Sequence, residues 1–251
     1  MKREFKITIL FVVIQLLLRQ TAFSQTVASQ KQGDPKSFVF PILPKSGNTL
    51  NDFAPKGWEI IDTAGGDLNK DNLEDAALIL EYQDSVVESE RAIWRNTKQK
   101  TKPRILALVF KVAEHYEIKL QQNAFLFRER ELLDDMNQEE QFNMDITKGV
   151  LHLNYKWKVI RGEQELNYKI RFQSKDFYLI GATYTNRGDW GSSSADFNFS
   201  TRKYVNTSTE LTNSGEEQIQ ETKKNLSVHI IKKLSELHEA GTWKVIDGET
   251  I

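Results

Sequence analysis

The most informative chemistry in this sequence lies in a short acidic segment, residues 67–75. Side chains that carry oxygen recur there at Asp67, Asn69, Asp71 and Asp75, which match positions 1, 3, 5 and 9 of a calcium-binding loop. The backbone carbonyl of Leu73 would serve position 7. Calcium takes about six to eight oxygen ligands, and three crowded carboxylates repel one another unless a cation lies between them. The spacing therefore predicts one calcium ion bound by these residues.

Two positions differ from the calcium loop of an EF-hand. Position 6 holds Asn72 instead of glycine, although asparagine tolerates the left-handed backbone conformation needed there. Position 12 holds Leu78 instead of a bidentate glutamate. The ligand set is therefore at least one short, and water or another residue, with Asp62 and Glu74 as candidates, must complete it. The alternative is a turn rich in Asp and Asn that binds no metal.

Residues 66–75 (GDLNKDNLED), placed between two strands, resemble the calcium loop of FG-GAP (integrin-type) and VCBS repeats. Those families use an Asp-x-Asx-x-Asp-x-x-x-Asp core between β-strands. The resemblance implies ligation by Asp67, Asn69, Asp71, Asp75 and the carbonyl of Leu73. In those families the loop recurs in every blade of a propeller, whereas here it occurs once.

A longer resemblance combines this loop with residues 177–182 (FYLIGA) and 196–199 (DFNF), and it covers about half of the chain. In these features the chain is similar to uncharacterised exported proteins of Gram-negative bacteria. The resemblance implies export and carries no particular activity.

No familiar catalytic class is indicated by the remaining residues. The four histidines, His115, His152, His229 and His238, lack the close spacing of a zinc site, and the chain has no cysteine for thiol chemistry. No Gly-x-Ser-x-Gly motif marks a serine nucleophile. Many acids could supply the pair used in glycoside hydrolysis, but nothing selects two of them. The sequence favours a non-enzymatic module, and a secreted carbohydrate-active hydrolase is the alternative.

The elements that must position the acidic loop are mostly strands. Residues 58–61 lead into the loop and residues 76–82 leave it. Residues 105–112 are apolar enough to form a strand buried on both faces, in a hairpin with residues 116–120. Four further strands are predicted, at residues 142–146, 150–159, 166–173 and 177–183. These patterns predict a mainly β domain over residues 38–214, built as an antiparallel sandwich or barrel-like sheet.

The C-terminal segment, residues 215–251, has a different composition. Residues 215–241 are rich in Glu, Gln and Lys, and apolar residues recur there near helical spacing. These apolar residues are Leu226, Ile230, Ile231, Leu234 and Leu237. The pattern predicts a C-terminal amphipathic helix that docks on the sheet.

The N-terminus has the three parts of a secretory signal peptide. A positive segment, residues 1–6, precedes an apolar stretch, residues 7–18, and Ala22 and Ser24 suit cleavage after Ser24. Twelve residues of helix rise only about 18 Å, less than a roughly 30 Å hydrocarbon core, so a transmembrane anchor is disfavoured. We therefore expect a signal peptide at residues 1–24, a flexible leader at 25–37, no stable membrane insertion after cleavage, and a periplasmic or extracellular location.

The charge balance argues against nucleic acid as a partner. The chain has 34 Lys and Arg and 35 Asp and Glu, of which residues 1–24 hold four and one, leaving a net charge of −4 after cleavage. Phosphate binding requires a positive face. We expect an exported binding or structural module, stabilised by calcium, whose ligand is a protein or a glycan.

The signal peptide can be tested directly. Expressed with residues 1–24 in a Gram-negative host, the protein should be found outside the cytoplasm with Gln25 as its first residue, as read by N-terminal sequencing. Recovery of Met1 on a membrane-bound product would instead indicate an uncleaved anchor.

Overall fold

Antiparallel strands form most of the chain that the computed structural model describes, as the alternating sequence patterns predicted. The described residues are 38–89, 98–126, 129–130, 140–159, 161–189, 191–211, 216–226, 231–237, 243–246 and 249–250. The predicted signal peptide and leader lie outside them. Two single turns of 3₁₀ helix, Leu50–Phe53 and Leu234–Glu236, complete the regular structure of this part of the chain.

The strands are numbered in chain order. They are β1 (Ser46–Gly47), β2 (Trp58–Gly66), β3 (Asp75–Tyr82), β4 (Val86–Ser89), β5 (Lys98–Lys102), β6 (Arg104–Val112), β7 (His115–Gln122), β8 (Glu129–Arg130), β9 (Glu140–Thr147), β10 (Val150–Val159), β11 (Gly162–Gln173), β12 (Asp176–Gly188), β13 (Gly191–Asn198), β14 (Lys203–Leu211), β15 (Glu217–Asn225), β16 (Lys244–Ile246) and β17 (Glu249–Thr250).

The first large sheet has five strands in the order β1-β7-β6-β3-β2. Its central strands β3 and β6 are buried on both faces, which explains why their sequences are nearly continuous runs of apolar residues. One face packs against residues 38–54 through a small core that includes Phe53, Trp58 and Leu80. The other face contributes Ile79 and Leu108 to the main core of the protein.

The second large sheet is a meander of seven strands in the order β15-β14-β13-β12-β11-β10-β9. Alternate residues of its strands point into the main core, as Leu151, Leu153 and Tyr155 of β10 do. Because residues of both sheets share this core, the sheets pack face to face across it. The opposite face of the meander is polar.

The predicted C-terminal helix is wrong for the described residues of that segment. Glu217–Asn225 forms strand β15, which pairs along its whole length with β14. Leu226, Leu234 and Leu237 are buried in the main core, but Leu226 follows β15, Leu234 begins the second 3₁₀ turn and Leu237 follows that turn. The backbone of this segment pairs with β14, and each leucine is buried separately. The apolar residues therefore do not form one face of a helix. Residues 227–230 and 238–242 lie outside the described part of the chain.

The two large sheets approach closely where β2 runs beside β9. Gly66, the last residue of β2, lies against Ile146 of β9, and a Cβ atom at Gly66 would come 2.5 Å from Cγ2 of Ile146. Contacts that short force the neighbouring side chain or backbone to move. Glycine at this position therefore lets the end of β2, where the acidic loop begins, approach the second sheet.

This close approach predicts the effect of a single methyl group. Gly66→Ala should lower the free energy of unfolding by about 1–3 kcal/mol, because the core must shift to admit the Cβ atom. The penalty should be smaller in an Ile146→Ala background, where Cγ2 is absent, and urea denaturation of the four proteins of this cycle measures the coupling. Gly188→Ala is the matched control, since its Cβ would lie 3.2 Å from its nearest neighbour, a carbonyl oxygen of Arg161. Equal penalties with Ile and Ala at position 146 would contradict the contact.

Candidate functional site

The acidic loop joins β2 to β3, and Gly66 and Asp75 form the last strand pair before it. Two loop residues, Lys70 and Asn72, have left-handed backbone conformations, each with φ of 68°. Asparagine adopts this conformation more readily than most residues because its short side chain can bond to the nearby backbone. The expected left-handed Asn72 is thus confirmed, and it lets the chain turn back within eight residues.

Asp67 closes the first half of the loop. Its Oδ1 accepts hydrogen bonds from the backbone N–H of Lys70 at 2.6 Å and of Asp71 at 3.1 Å. Its Oδ2 accepts one from the N–H of Asn72 at 3.0 Å. Short polar side chains commonly close tight turns in this way. The Asp67 carboxylate therefore stabilises the turn through its own backbone.

Asn69 and Asp71 close the second half. The N–H of Asp71 donates to Oδ1 of Asn69 at 2.9 Å, and the N–H of Leu73 donates to Oδ1 of Asp71 at 2.8 Å. The Asn69 amide nitrogen also donates to Oδ2 of Asp71 at 2.8 Å. Asp71 is exposed, whereas Asn69 is half-buried. These two side chains thus form the outer, solvent-facing part of the loop.

Asp75 anchors the loop from the inside and is completely buried. Its Oδ2 accepts the N–H of Leu68 at 2.9 Å and of Asn69 at 3.2 Å, which fixes the start of the loop. Its Oδ1 accepts the N–H of Lys111 at 3.0 Å, near the end of β6. Burial raises the pKa of Asp75, and the three N–H groups oppose that rise. One side chain therefore joins the loop to a strand 36 residues away along the chain.

The loop also contacts the second sheet. Leu68 is buried in the main core with 1 % of its surface exposed. The turn between β9 and β10 lies against the loop backbone, and a Cβ atom at Gly149 would come 3.2 Å from the carbonyl oxygen of Asp67. Gly149 has φ of 73°, so glycine suits this turn in conformation as well as in size. The loop thus lies where the two sheets meet.

The donors of the loop suit calcium in kind, because all are oxygen atoms. Asp67 and Asp75 each accept three N–H groups, and a carboxylate has about four acceptor positions, so each has about one left for an ion. Asp75 differs from Asp67 in being completely buried. Within the described ranges, no group of three or more His, Cys, Asp or Glu side chains is arranged to hold a metal ion. The oxygen atoms that remain available to an ion on the outside of the loop belong to Asp67, Asn69, Asp71 and the Leu73 carbonyl.

The two residues considered for completing the ligand set lie elsewhere. Asp62 pairs with Ile79 in the β2–β3 ladder, four residues before Gly66, which corresponds to about 13 Å along a strand. Glu74 folds back so that its carboxylate lies against Gly65. Neither position supports the missing ligand.

The meander also carries a concavity on its polar face, which we call the amide groove. It has a volume of about 520 Å³ and is lined by residues of β9, β10, β11 and β12. Among the described residues, Glu165 is the one acidic side chain that lines it, and this carboxylate forms ion pairs with Lys156 at 3.4 Å and Arg187 at 2.9 Å. Sequence reasoning missed this groove, because its residues come together only through the register of four strands.

Comparisons with known proteins add no relative, since no protein family, curated protein or solved structure matches the chain. Among the described residues, no helix is long and apolar enough to cross a membrane.

The anchoring role of Asp75 can be measured by substitution. An amide at this position would turn an NH₂ group toward one of the three N–H donors, so Asp75→Asn should lower the free energy of unfolding by about 1–3 kcal/mol. Asp75→Ala should cost more, because all three N–H groups lose their acceptor. Asp71→Asn, an exposed change in the same loop, should stay within about 0.5 kcal/mol. Chemical denaturation checks these values. If the cost of burying the charge outweighed the hydrogen bonds, Asp75→Asn would be more stable than the wild type.

Proposed function

We propose that this protein is an exported, non-enzymatic binding or structural module in which the acidic loop holds the junction of two sheets and takes one weakly bound calcium ion. The observation that carries the proposal is the position of the loop. The Asp75 carboxylate accepts a hydrogen bond from Lys111 of β6, and the Leu68 side chain enters the main core. Of the other oxygen-bearing side chains, Asp71 is exposed and Asp67 and Asn69 are half-buried. An ion bound there would stabilise the junction without being required for the fold.

Calcium would be held by the outer half of the loop. Asp67, Asn69, Asp71 and the Leu73 carbonyl supply the oxygen atoms, and Asp75 acts mainly as the anchor behind them. A bound calcium ion would neutralise the two outer carboxylates. Since affinity rises with the number of charged ligands, two carboxylates favour a dissociation constant of roughly 10⁻⁴–10⁻³ M. Such a site suits surroundings in which calcium is abundant, in agreement with the proposed periplasmic or extracellular location.

The resemblance to FG-GAP and VCBS loops supports this proposal through the loop alone. In this chain the loop joins two strands of an open sheet, and the same sheet continues through β6 and β7 to β1. We therefore propose a single calcium loop used as a local clamp, with no propeller implied.

A non-enzymatic role is favoured over the carbohydrate-active hydrolase. Glycoside hydrolysis uses two carboxyl groups that flank the scissile bond, about 5–9.5 Å apart. Among the described residues that line the amide groove, Glu165 is the one acid, and it forms ion pairs with Lys156 and Arg187. The groove therefore supports binding better than hydrolysis.

Calcium dependence of the melting temperature tests the proposal. When calcium is about tenfold above its dissociation constant, binding to the native state stabilises it by about 1.4 kcal/mol. About 10 mM calcium is about 10- to 100-fold above the proposed dissociation constant, so melting there should exceed melting in EDTA by about 3–11 °C for a protein of this size. Differential scanning calorimetry measures the difference.

The controls separate the loop from other effects of ions. Asp71→Ala should abolish the calcium dependence, whereas Asp84→Ala, an exposed aspartate outside the loop, should keep it. Magnesium at the same concentration should give little shift, because it demands a tighter octahedral set of ligands. The calcium proposal would be contradicted if the wild type melted at the same temperature in EDTA and in calcium and showed no heat of binding. The loop would then be a turn that binds no metal.

A further inference from the structure

Three asparagines occupy one row across neighbouring strands of the meander. Asn143 of β9 faces Asn154 of β10, and Asn154 faces Asn167 of β11. Asparagine is depleted in β-strands, where β-branched residues such as threonine and valine fit better. Positions that break such a local rule are often functional. Three asparagines in register on neighbouring strands therefore suggest that their amide groups have a function in binding.

The amides of this row are held in place by a chain of hydrogen bonds. Asn167 donates through Nδ2 to Oδ1 of Asn154, and Asn154 donates through Nδ2 to Oδ2 of Asp145 at 3.3 Å. Oδ1 of Asn167 lies 3.5 Å from Nδ1 of His152. An amide has two N–H groups and two acceptor positions. These bonds use about half of that capacity, so the side chains are oriented yet still able to bind a further partner.

The row lies in the amide groove. Its polar lining includes Gln141, Asn154, Lys156, Glu165, Asn167 and Thr183. The aromatic residues Phe142 and Tyr155 contribute to the lining, but their rings pack together at 4.7 Å and Tyr155 is buried in the main core. A ligand in the groove would therefore meet amide and hydroxyl groups more than apolar surface.

The charges around the groove are largely balanced within the protein. The ammonium group of Lys156 lies 2.6 Å from Glu163 and 3.4 Å from Glu165, and Arg187 lies 3.1 and 2.9 Å from the same two carboxylates. A highly charged ligand would have to compete with these ion pairs. Neutral polar ligands face no such competition.

We propose that the amide groove binds a neutral oligosaccharide. Amide side chains present a donor and an acceptor in one plane, and sugar hydroxyls can satisfy both. Because the two aromatic rings among the described lining residues pack against each other, affinity should be weak, with a dissociation constant on the order of 1 mM. The inference rests on the proposed role as a binding module and names its ligand class. The competing explanation is a polar row that only stabilises the sheet.

Side-chain amide signals in ¹⁵N NMR spectra test the proposal. The full mature protein is titrated to about 10 mM with each of four neutral hexasaccharides: cellohexaose, laminarihexaose, mannohexaose and xylohexaose. At least one sugar should shift the NH₂ signals of Asn154, Asn167 and Gln141 in a saturable manner. Asn167→Thr and Asn154→Thr should weaken that binding at least tenfold while melting temperature is kept or raised, since threonine favours strands.

Asn186→Thr is the matched control, because Asn186 lies in β12, is exposed and does not line the groove. It should bind the sugar as the wild type does. The inference is overturned if no sugar shifts these signals, or if both groove variants bind as tightly as the control. Chromatography of the titrated sugar separates the two proposals. Recovery of intact sugar would agree with both proposals. Cleavage of the sugar would contradict the proposed non-enzymatic function but would still agree with sugar binding in the groove.

Discussion

The buried carboxylate of Asp75 is the contact on which the geometry of the acidic loop depends. It accepts the N–H groups of Leu68 and Asn69 on one oxygen and that of Lys111 on the other. The first two position the start of the loop, and the third ties it to β6. With the chain fixed there, Leu68 enters the main core and Gly66 can lie against Ile146. The junction of the two large sheets is built around this side chain.

The balance of energies explains why the residue is an aspartate. Burying an unpaired carboxylate costs several kcal/mol or more. Hydrogen bonds to a charged group return about 1.5–3 kcal/mol each, and Asp75 accepts three of them. A carboxylate accepts from all sides and donates to none, so it suits a point where three donors converge. The same arrangement leaves the outer side chains of the loop to a second task, for which we propose calcium.

The sequence predicted elements whose signal is local. The alternation in β10 and the continuous apolar run of β6 gave the right strands, because burial on one or two faces is visible in the periodicity itself. It also predicted the left-handed Asn72, since the calcium-loop spacing requires it. The C-terminal helix was wrong because leucines that are buried one by one, beside a paired strand, mimicked a helical stripe.

Features that depend on register could not be predicted. Nothing in the sequence places Lys111 beside Asp75, and the row of Asn143, Asn154 and Asn167 exists only once β9, β10 and β11 are aligned. The spacing predicts Asp75 as a calcium ligand, and the structure adds that this side chain is buried and accepts three backbone N–H groups. The sequence did carry a signal for the burial of Asp75, because this residue directly precedes the apolar run of β3. The six residues that follow Asp75 are all buried.

Native-state hydrogen exchange in EDTA tests the central claim most directly, because it reports on the three N–H groups without altering the protein. If Asp75 locks the junction, the amides of Leu68, Asn69 and Lys111 should exchange slowly and with a common opening free energy close to that of the β3 core. Exchange of these three amides at the rate of exposed loop amides, while β3 stays protected, would contradict the account.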